Sequence, residues 1–155
     1  MAVSIYGIFA GVLSRCLQVA LISALSSIVL VSAAAELHGS SDPLRMRNGK
    51  GLFDDNCAAC HQKDGMGLRG AFPPLASSGF QRVCPSCAID FVVNGHTGRV
   101  IVNGKPYDGS MPPIGTGLTD QDIADIVTYV LNSWGNHGPT VTGAEVAGVR
   151  RSGGH

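Results

Sequence analysis

The stretch Cys57-Ala58-Ala59-Cys60-His61 decides the fold, because here two cysteines three residues apart are followed directly by a histidine. This C-x-x-C-H spacing is the signature of covalent haem attachment. On one helical turn both sulfurs reach the two vinyl groups of one porphyrin, and the neutral imidazole binds the iron from one side. The motif predicts one haem c, bound through Cys57 and Cys60, with His61 as an axial ligand.

Closely spaced cysteines also serve other chemistries. A bare C-x-x-C fits a redox dithiol, a disulfide or half of a zinc site. The histidine that follows Cys60 favours haem among these chemistries, and the remaining alternatives are half of a zinc site or a chance occurrence of the motif.

Composition favours one small domain built on a prosthetic group. The chain has 155 residues, 45% of them hydrophobic, with 21 glycines and few aromatic residues. Such a chain has room for one core, to which the haem would contribute much. Beyond residue 35 there are ten Lys or Arg against eleven Asp or Glu, a charge of about minus one, so no nucleic-acid partner is expected.

The first 35 residues predict a signal peptide. Leu17 to Val31 is apolar, and Ala33 with Ala35 satisfies the A-x-A cleavage pattern. An uncleaved membrane anchor is the alternative, because the apolar segment after Arg15 approaches the roughly 20 residues that span a bilayer. Cys16 is interpreted as part of this segment. The predicted domains are a signal peptide or anchor at 1–35, a linker at 36–43, the haem domain at 44–135 and a C-terminal extension at 136–155.

Two long helices are predicted to flank the haem domain. The first begins after Asp42-Pro43, a cap followed by a proline, and directs Leu44, Leu52 and Phe53 to the core. Gly49 and Gly51 are poor helix formers, so either they allow another helix to pack closely, with Gly49 and Phe53 as its contact surface, or the helix is simply weak. The second runs from about residue 119 to 133, with one apolar face and a capping box of Thr119 and Asp122. Its apolar positions are Ile123, Ile126, Val127, Val130 and Leu131.

Residues 62–75 form a glycine- and proline-rich loop directly after His61. A ligating histidine normally donates its other ring N–H to a fixed acceptor. The carbonyl of Pro73 or Pro74 is the candidate acceptor, and the alternative is that these prolines only stiffen a turn.

Cys84 and Cys87 form a second C-x-x-C, which is followed by Ala88 and not by histidine, so it is not a second haem site. A disulfide is favoured in an exported chain. A redox dithiol or two reduced thiols are the alternatives, although no thioredoxin-like βαβ pattern surrounds the pair.

Met111 lies in a segment that Gly109, Pro112 and Pro113 keep out of helix. A thioether is a soft ligand, and Met paired with His is typical of electron-transfer haems. Met111 is therefore the predicted second axial ligand, with Met66 and Met46 as weaker rivals and core packing as the alternative.

Shorter elements are expected elsewhere. One or two helical turns are predicted at residues 88–94, a small hairpin at 100–107 and a short helix near 143–150. Trp134 and Tyr129 are expected to be packing residues. No ligand role is expected for the other histidines, which are His38, His96, His137 and His155.

The haem motif, the Met111-Pro112-Pro113 loop and the helix after it occur in the order found in class I cytochrome c domains, which residues 45–135 resemble. The resemblance implies an all-α fold whose first and last helices cross beside the haem, with Gly49 and Phe53 against the face of Tyr129. It also implies that His61 and Met111 are the axial ligands. The phrases at 71–75, 102–107 and 130–136 are similar to cytochrome subunits of bacterial periplasmic dehydrogenases and nitrite reductases.

The predicted function is one-electron transfer in the periplasm, not catalysis. Dehydrogenases, reductases or a terminal oxidase are the expected partners, and contact with a membrane is expected only if residues 1–35 stay attached. A haem sensor or catalyst with an open sixth position is one alternative. A thiol-disulfide oxidoreductase acting through Cys84 and Cys87 is the other.

Overall fold

The computed structural model describes residues 42–79 and 84–153. The predicted segment 1–35 with Cys16, most of the linker with His38, and His155 lie outside these residues. The described elements are α1 Pro43–Asn56, α2 Ala58–His61, α3 Pro85–Asn94, β1 His96–Val102, β2 Lys105–Met111, α4 Asp120–Leu131 and α5 Gly143–Ser152. Of the helices in these two ranges, none has the length and apolar character to cross a bilayer.

Helix α1 begins as predicted. The Asp42 carboxylate accepts a hydrogen bond from the Leu44 backbone N–H at 2.9 Å, and Pro43 occupies the first helical position. Phe53 is fully buried, but Leu44 is 66% exposed, so its prediction as a core residue was wrong. The two positions are nine residues apart, and at about 100° per residue this places them on opposite faces of the helix.

The predicted crossing of the first and last long helices is confirmed. Gly49 lies against the backbone of Asp125 in α4, and the Phe53 ring packs on Tyr129 with ring centroids 5.6 Å apart. Trp134 completes the cluster, 5.1 Å from Phe53 and 5.3 Å from Tyr129. Tyr129 and Trp134 are therefore packing residues, as predicted.

Helix α4 has the predicted capping box. The Thr119 hydroxyl accepts from the Asp122 N–H at 3.1 Å, and the Asp122 carboxylate accepts from the Thr119 N–H at 3.0 Å. The helix ends at Leu131, two residues earlier than predicted. All five apolar positions of the predicted face are buried: Ile123, Ile126, Val127, Val130 and Leu131.

The all-α prediction was wrong in one respect, because β1 and β2 form an antiparallel hairpin that is longer than predicted. Asn103 and Gly104 make the turn with φ values of 51° and 73°, as a tight hairpin turn requires. The strands pair His96 with Met111 at their open end. The class I cytochrome c architecture is otherwise retained, with this sheet added to the helices.

The other short helices are confirmed with changed limits. Helix α3 begins at Pro85, earlier than predicted, because Cys84 serves as its N-cap. Helix α5 spans Gly143–Ser152 and begins with a second capping box, formed by Thr142 and Glu145. Its Val146 is fully buried in the core next to Val141.

Candidate haem site

The two cysteines of the motif lie where one helix gives way to the next. Cys57 ends α1 by donating its N–H to the Phe53 carbonyl at 2.8 Å, and it also caps α2. Its own carbonyl accepts from the His61 N–H at 2.9 Å. This single turn holds Cys57, Cys60 and His61 together, which is the arrangement that attachment to one porphyrin requires.

The two thiols differ in their exposure to water. Cys57 is buried and Cys60 is half-buried, and neither is in a disulfide. Burial raises the pKa of the Cys57 thiol to about 11, and the nearby Cys60 adds to the shift. As a free thiol, Cys57 is therefore protonated at neutral pH, and it packs in an apolar cluster with Phe53, Ile126, Tyr129 and Val130.

The imidazole of His61 is oriented by the loop that follows it. Its Nδ1 lies 3.1 Å from the carbonyl oxygen of Pro73, one of the two acceptors predicted. Because a carbonyl only accepts, Nδ1 carries the proton and Nε2 keeps the lone pair that a metal needs. Burial lowers the pKa of His61, while the hydrogen bond to Pro73 opposes that shift, so the ring is neutral at pH 7.

A glycine in the same loop sets the position of the Pro73 carbonyl. Gly67 has a φ of 63°, and a Cβ there would collide with the Phe72 carbonyl and lie 2.6 Å from that of Pro73. Its N–H is donated to the His61 carbonyl at 2.9 Å. Gly67 thus connects the histidine to its acceptor. This role of Gly67 was not predicted from the sequence, although the glycine-rich spacing after the motif was the available signal.

Two adjoining apolar cavities open beside the motif. One is bounded by α4 and the 73–75 segment, and the other by α2, the 71–73 segment and the hairpin. Six residues line both cavities, in addition to the residues that line only one of them: Cys57, His61, Pro73, Phe91, Val100 and Met111. The structure therefore brings all the predicted site residues together, with Cys60 lining the second cavity.

Met111 reaches the cavities from the last position of β2. Gly95, with a φ of 76°, allows this, because a Cβ there would lie 2.6 Å from the Met111 carbonyl oxygen and 2.9 Å from the Pro113 nitrogen. The rival Met66 is 59% exposed and lines neither cavity. Met46 packs beside the Phe53 cluster instead.

His96 provides a test of whether a haem fits this space. Its ring stacks on Phe91 with centroids 4.4 Å apart and lines the second cavity. Its Nε2 is buried and has no hydrogen-bond partner among the described residues. Buried polar atoms normally have a partner, so this atom is expected to meet a polar group of whatever fills the cavity. A haem, which is apolar in its ring and bears carboxylates, fits both the lining and the orphan nitrogen.

The structure also bears on the second cysteine pair, on metal binding and on His137. Cys84 and Cys87 form the favoured disulfide, at the start of α3. Within residues 42–79 and 84–153, no group of three or more His, Cys, Asp or Glu side chains is placed to hold a metal ion. His137 is exposed, as expected.

It was also not predicted from the sequence that residues of the hairpin line the second cavity. Val100 and Tyr107 form a directly opposed pair, and both line the second cavity. Alternate residues of β1 are the less exposed ones, and this period of two in the segment 96–102 was the available signal.

Comparison with known proteins gives the same answer as the geometry. The Cytochrome c family model matches residues 46–134, more than half of the chain. The gluconate 2-dehydrogenase cytochrome c subunit of Pantoea cypripedii is 37% identical over 108 residues, which are 68% of this chain and 24% of that protein. The cytochrome c subunit of the quinone alcohol dehydrogenase of Gluconacetobacter polyoxogenes is 35% identical over 68% of this chain and 23% of its own length. Cytochrome c-552 of Thermus thermophilus is 32% identical over 52% of this chain and 63% of that protein.

Fold and site together define a haem protein of the electron-transfer class, with its cofactor attached through cysteine sulfur. The chain belongs to the cytochrome c family. This membership confirms the predictions of one covalent haem c and of a haem domain that transfers electrons. The chain spans about a quarter of the length of the dehydrogenase subunits it matches.

Proposed function

We propose that Cys57 and Cys60 bind the haem as thioethers and that His61 and Met111 are its two axial ligands. The observation that carries this assignment is that His61 and Met111 line the same two cavities as Cys57. The hydrogen bond from His61 Nδ1 to Pro73 leaves Nε2 as the ligating atom. Met111 is supported over Met66 and Met46 by its place in both cavities.

When bound, the haem supplies a reversible one-electron change at its iron. The chain keeps the ring of His61 neutral and fixed through Pro73. A thioether from Met111 would fill the remaining axial position, which excludes water and substrates and favours a higher reduction potential. The apolar side chains around the cavities, among them Val100 and Ile126, limit access of water to the site.

The proposed setting is the bacterial periplasm, with residues 1–35 as a signal peptide and 44–135 as the haem domain. An uncleaved anchor facing the periplasm is the alternative. Relatives named as cytochrome subunits of gluconate, alcohol and fructose dehydrogenases support a dehydrogenase as electron donor. A relative named as a cbb3-type oxidase subunit supports a terminal oxidase as acceptor. Co-purification with a larger catalytic chain would identify a subunit, and purification alone would identify a free carrier.

The ligand assignment is tested by the absorption spectrum of the oxidised protein. Wild type and Met66→Ala, the matched control, are expected to show the near-infrared sulfur-to-iron band. Met111→Ala should lose that band and have a lower reduction potential, because the soft thioether is gone. A wild-type spectrum without the band would favour the sensor or catalyst with an open sixth position.

A further inference from the structure

Helix α5 lies beyond the part of the chain that the family model matches, which ends at residue 134. It is nevertheless part of the core. Val146 of α5 is fully buried, and it belongs to the same apolar cluster as Ile89 and Val92 of α3 and Val127 of α4. The helix therefore packs against the elements that surround the cavities.

Arg150 of α5 binds the segment that connects Met111 to α4. Its Nη2 donates to the carbonyl of Gly115 at 3.0 Å and to that of Leu118 at 2.9 Å. Its Nε donates to the Asp120 carboxylate at 2.7 Å. One guanidinium thus joins both ends of the 115–120 segment to α5, using the fixed fork of donors that only arginine has.

The same segment is held from the other side by α3. The N–H groups of Ile114 and Gly115 both donate to the Val92 carbonyl, at 3.0 and 2.9 Å. A Cβ on Gly115 would lie 3.1 Å from the Val93 Cα and 3.3 Å from a methyl carbon of Ile123. Gly115 is therefore fixed between α3, α4 and Arg150.

Little freedom remains between Gly115 and Met111. Two of the three intervening residues are Pro112 and Pro113, whose rings fix φ near −65°. At the other end, the backbone of Met111 meets Gly95 and is paired with His96. A displacement at Gly115 would consequently be transmitted along a stiff connection to the methionine.

We propose that Arg150 is a positioning residue for the axial methionine, and that the C-terminal helix serves electron transfer by keeping Met111 on the iron. This inference rests on the ligand assignment proposed above. Arg150 is not one of the residues that line the two cavities, and it acts through the carbonyls of Gly115 and Leu118. Without it, the segment would sample positions in which the sulfur leaves and an external ligand enters.

The experiment compares Arg150→Gln with Arg45→Gln in the holoprotein. Arg45 is a matched control, because it also pairs with an aspartate, Asp125 at 2.7 Å, and also donates to a carbonyl, that of Val141 at 2.7 Å. Arg45 donates to α4 and to the segment before α5, and both of these acceptors lie outside residues 111–118. Both variants are expected to lower the thermal midpoint.

The readout is imidazole binding to the oxidised protein, followed by loss of the sulfur-to-iron band. Arg150→Gln is expected to bind imidazole about tenfold more tightly than wild type, equivalent to about 1.4 kcal/mol. Arg45→Gln should bind it as wild type does. Arg150→Lys keeps the charge but not the fork, so it should fall between wild type and Arg150→Gln, and it is the variant to use if Arg150→Gln does not fold.

Equal imidazole affinity in the Arg150 and Arg45 variants, at equal loss of stability, would overturn the proposal and leave Arg150 a purely structural residue. A wild-type protein that lacks the sulfur-to-iron band would instead overturn the Met111 assignment itself. The two failures are therefore distinguishable before any variant is made.

Discussion

Gly49 of α1 lies directly against the peptide backbone of Asp125 in α4, so that a Cβ at position 49 would collide with the Asp125 carbonyl and lie 2.9 Å from the Cβ of Tyr129. The crossing beside the cavities exists because position 49 has no side chain. Phe53, one turn later, fills the space that the close approach creates.

Gly49→Ala should destabilise the protein by about 1–3 kcal/mol, because the added methyl meets backbone that cannot rotate away. Gly51→Ala is the matched control on the same helix, since a Cβ there meets nothing within 4 Å. It should stabilise by up to about 1 kcal/mol through higher helix propensity. Urea unfolding of both variants measures the difference, and equal effects would contradict the close crossing.

The buried carboxylate of Asp125 is held by three donors. Arg45 and Gln121 each donate to Oδ1 at 2.7 Å, and Asn48 donates to Oδ2 at 2.9 Å. Asp125→Ala should cost about 2 kcal/mol, because the half-buried Arg45 guanidinium loses its acceptor, whereas the exposed amides of Asn48 and Gln121 can bond to water instead. Lys50→Ala, which removes an exposed pair with Asp54, should leave the stability close to that of wild type. Chemical denaturation that found similar costs would show that Asp125 is not buried in solution.

The capping box of α4 predicts a pH dependence. Hydrogen bonds from the side chain and backbone of Thr119 lower the pKa of Asp122 below its usual 3.8, and slight burial opposes them. A lowered folded-state pKa contributes stability that is complete above the unfolded value and disappears as the pH falls through the folded value. Asp122→Asn should therefore be less stable than wild type by about 0.5 kcal/mol at pH 7 and equal to it in strong acid.

Unfolding curves between pH 2 and 7 measure this difference, with Asp55→Asn on the exposed side of α1 as the control for loss of one negative charge. A difference that stayed constant down to pH 2 would mean that the Asp122 carboxylate does not act through its charge.

The Cys84–Cys87 disulfide is expected to serve structure and not haem binding. It closes a loop of sequence separation 3 at the start of α3, and neither cysteine lines the cavities. Replacing both with Ser should cost no more than about 2 kcal/mol, as expected for so short a loop, and leave the haem content per chain unchanged. Haem loss in the double variant would mean that these sulfurs take part in the site.

Local signals in the sequence were sufficient for the elements that carry the site. The Thr119 cap, the apolar period after it and the spacing from Cys57 to His61 each depend on neighbours within one or two turns. These features were predicted correctly, as were the Pro73 acceptor and the disulfide. The prediction for Leu44 was wrong because Leu44 lies on the opposite face of the helix from Phe53, so the two side chains cannot both face the core.

Local sequence patterns do not predict contacts between residues that are far apart in the chain. Arg150 reaches Gly115 and Leu118, and Arg45 reaches Val141, across turns whose geometry no local pattern encodes. The hairpin is longer than predicted because it extends to the pair His96 and Met111. This pairing depends on the opposite strand, and the strand propensity of the two residues does not indicate it.

We propose that one haem is attached to this chain through the sulfurs of Cys57 and Cys60, and this attachment carries the rest of the proposed function. It is tested most directly by treating the mature, coloured protein with acidified organic solvent and recording the absorption of both fractions. If both sulfurs form thioethers to the haem, all the pigment stays with the precipitated polypeptide. Pigment released into the solvent would contradict it.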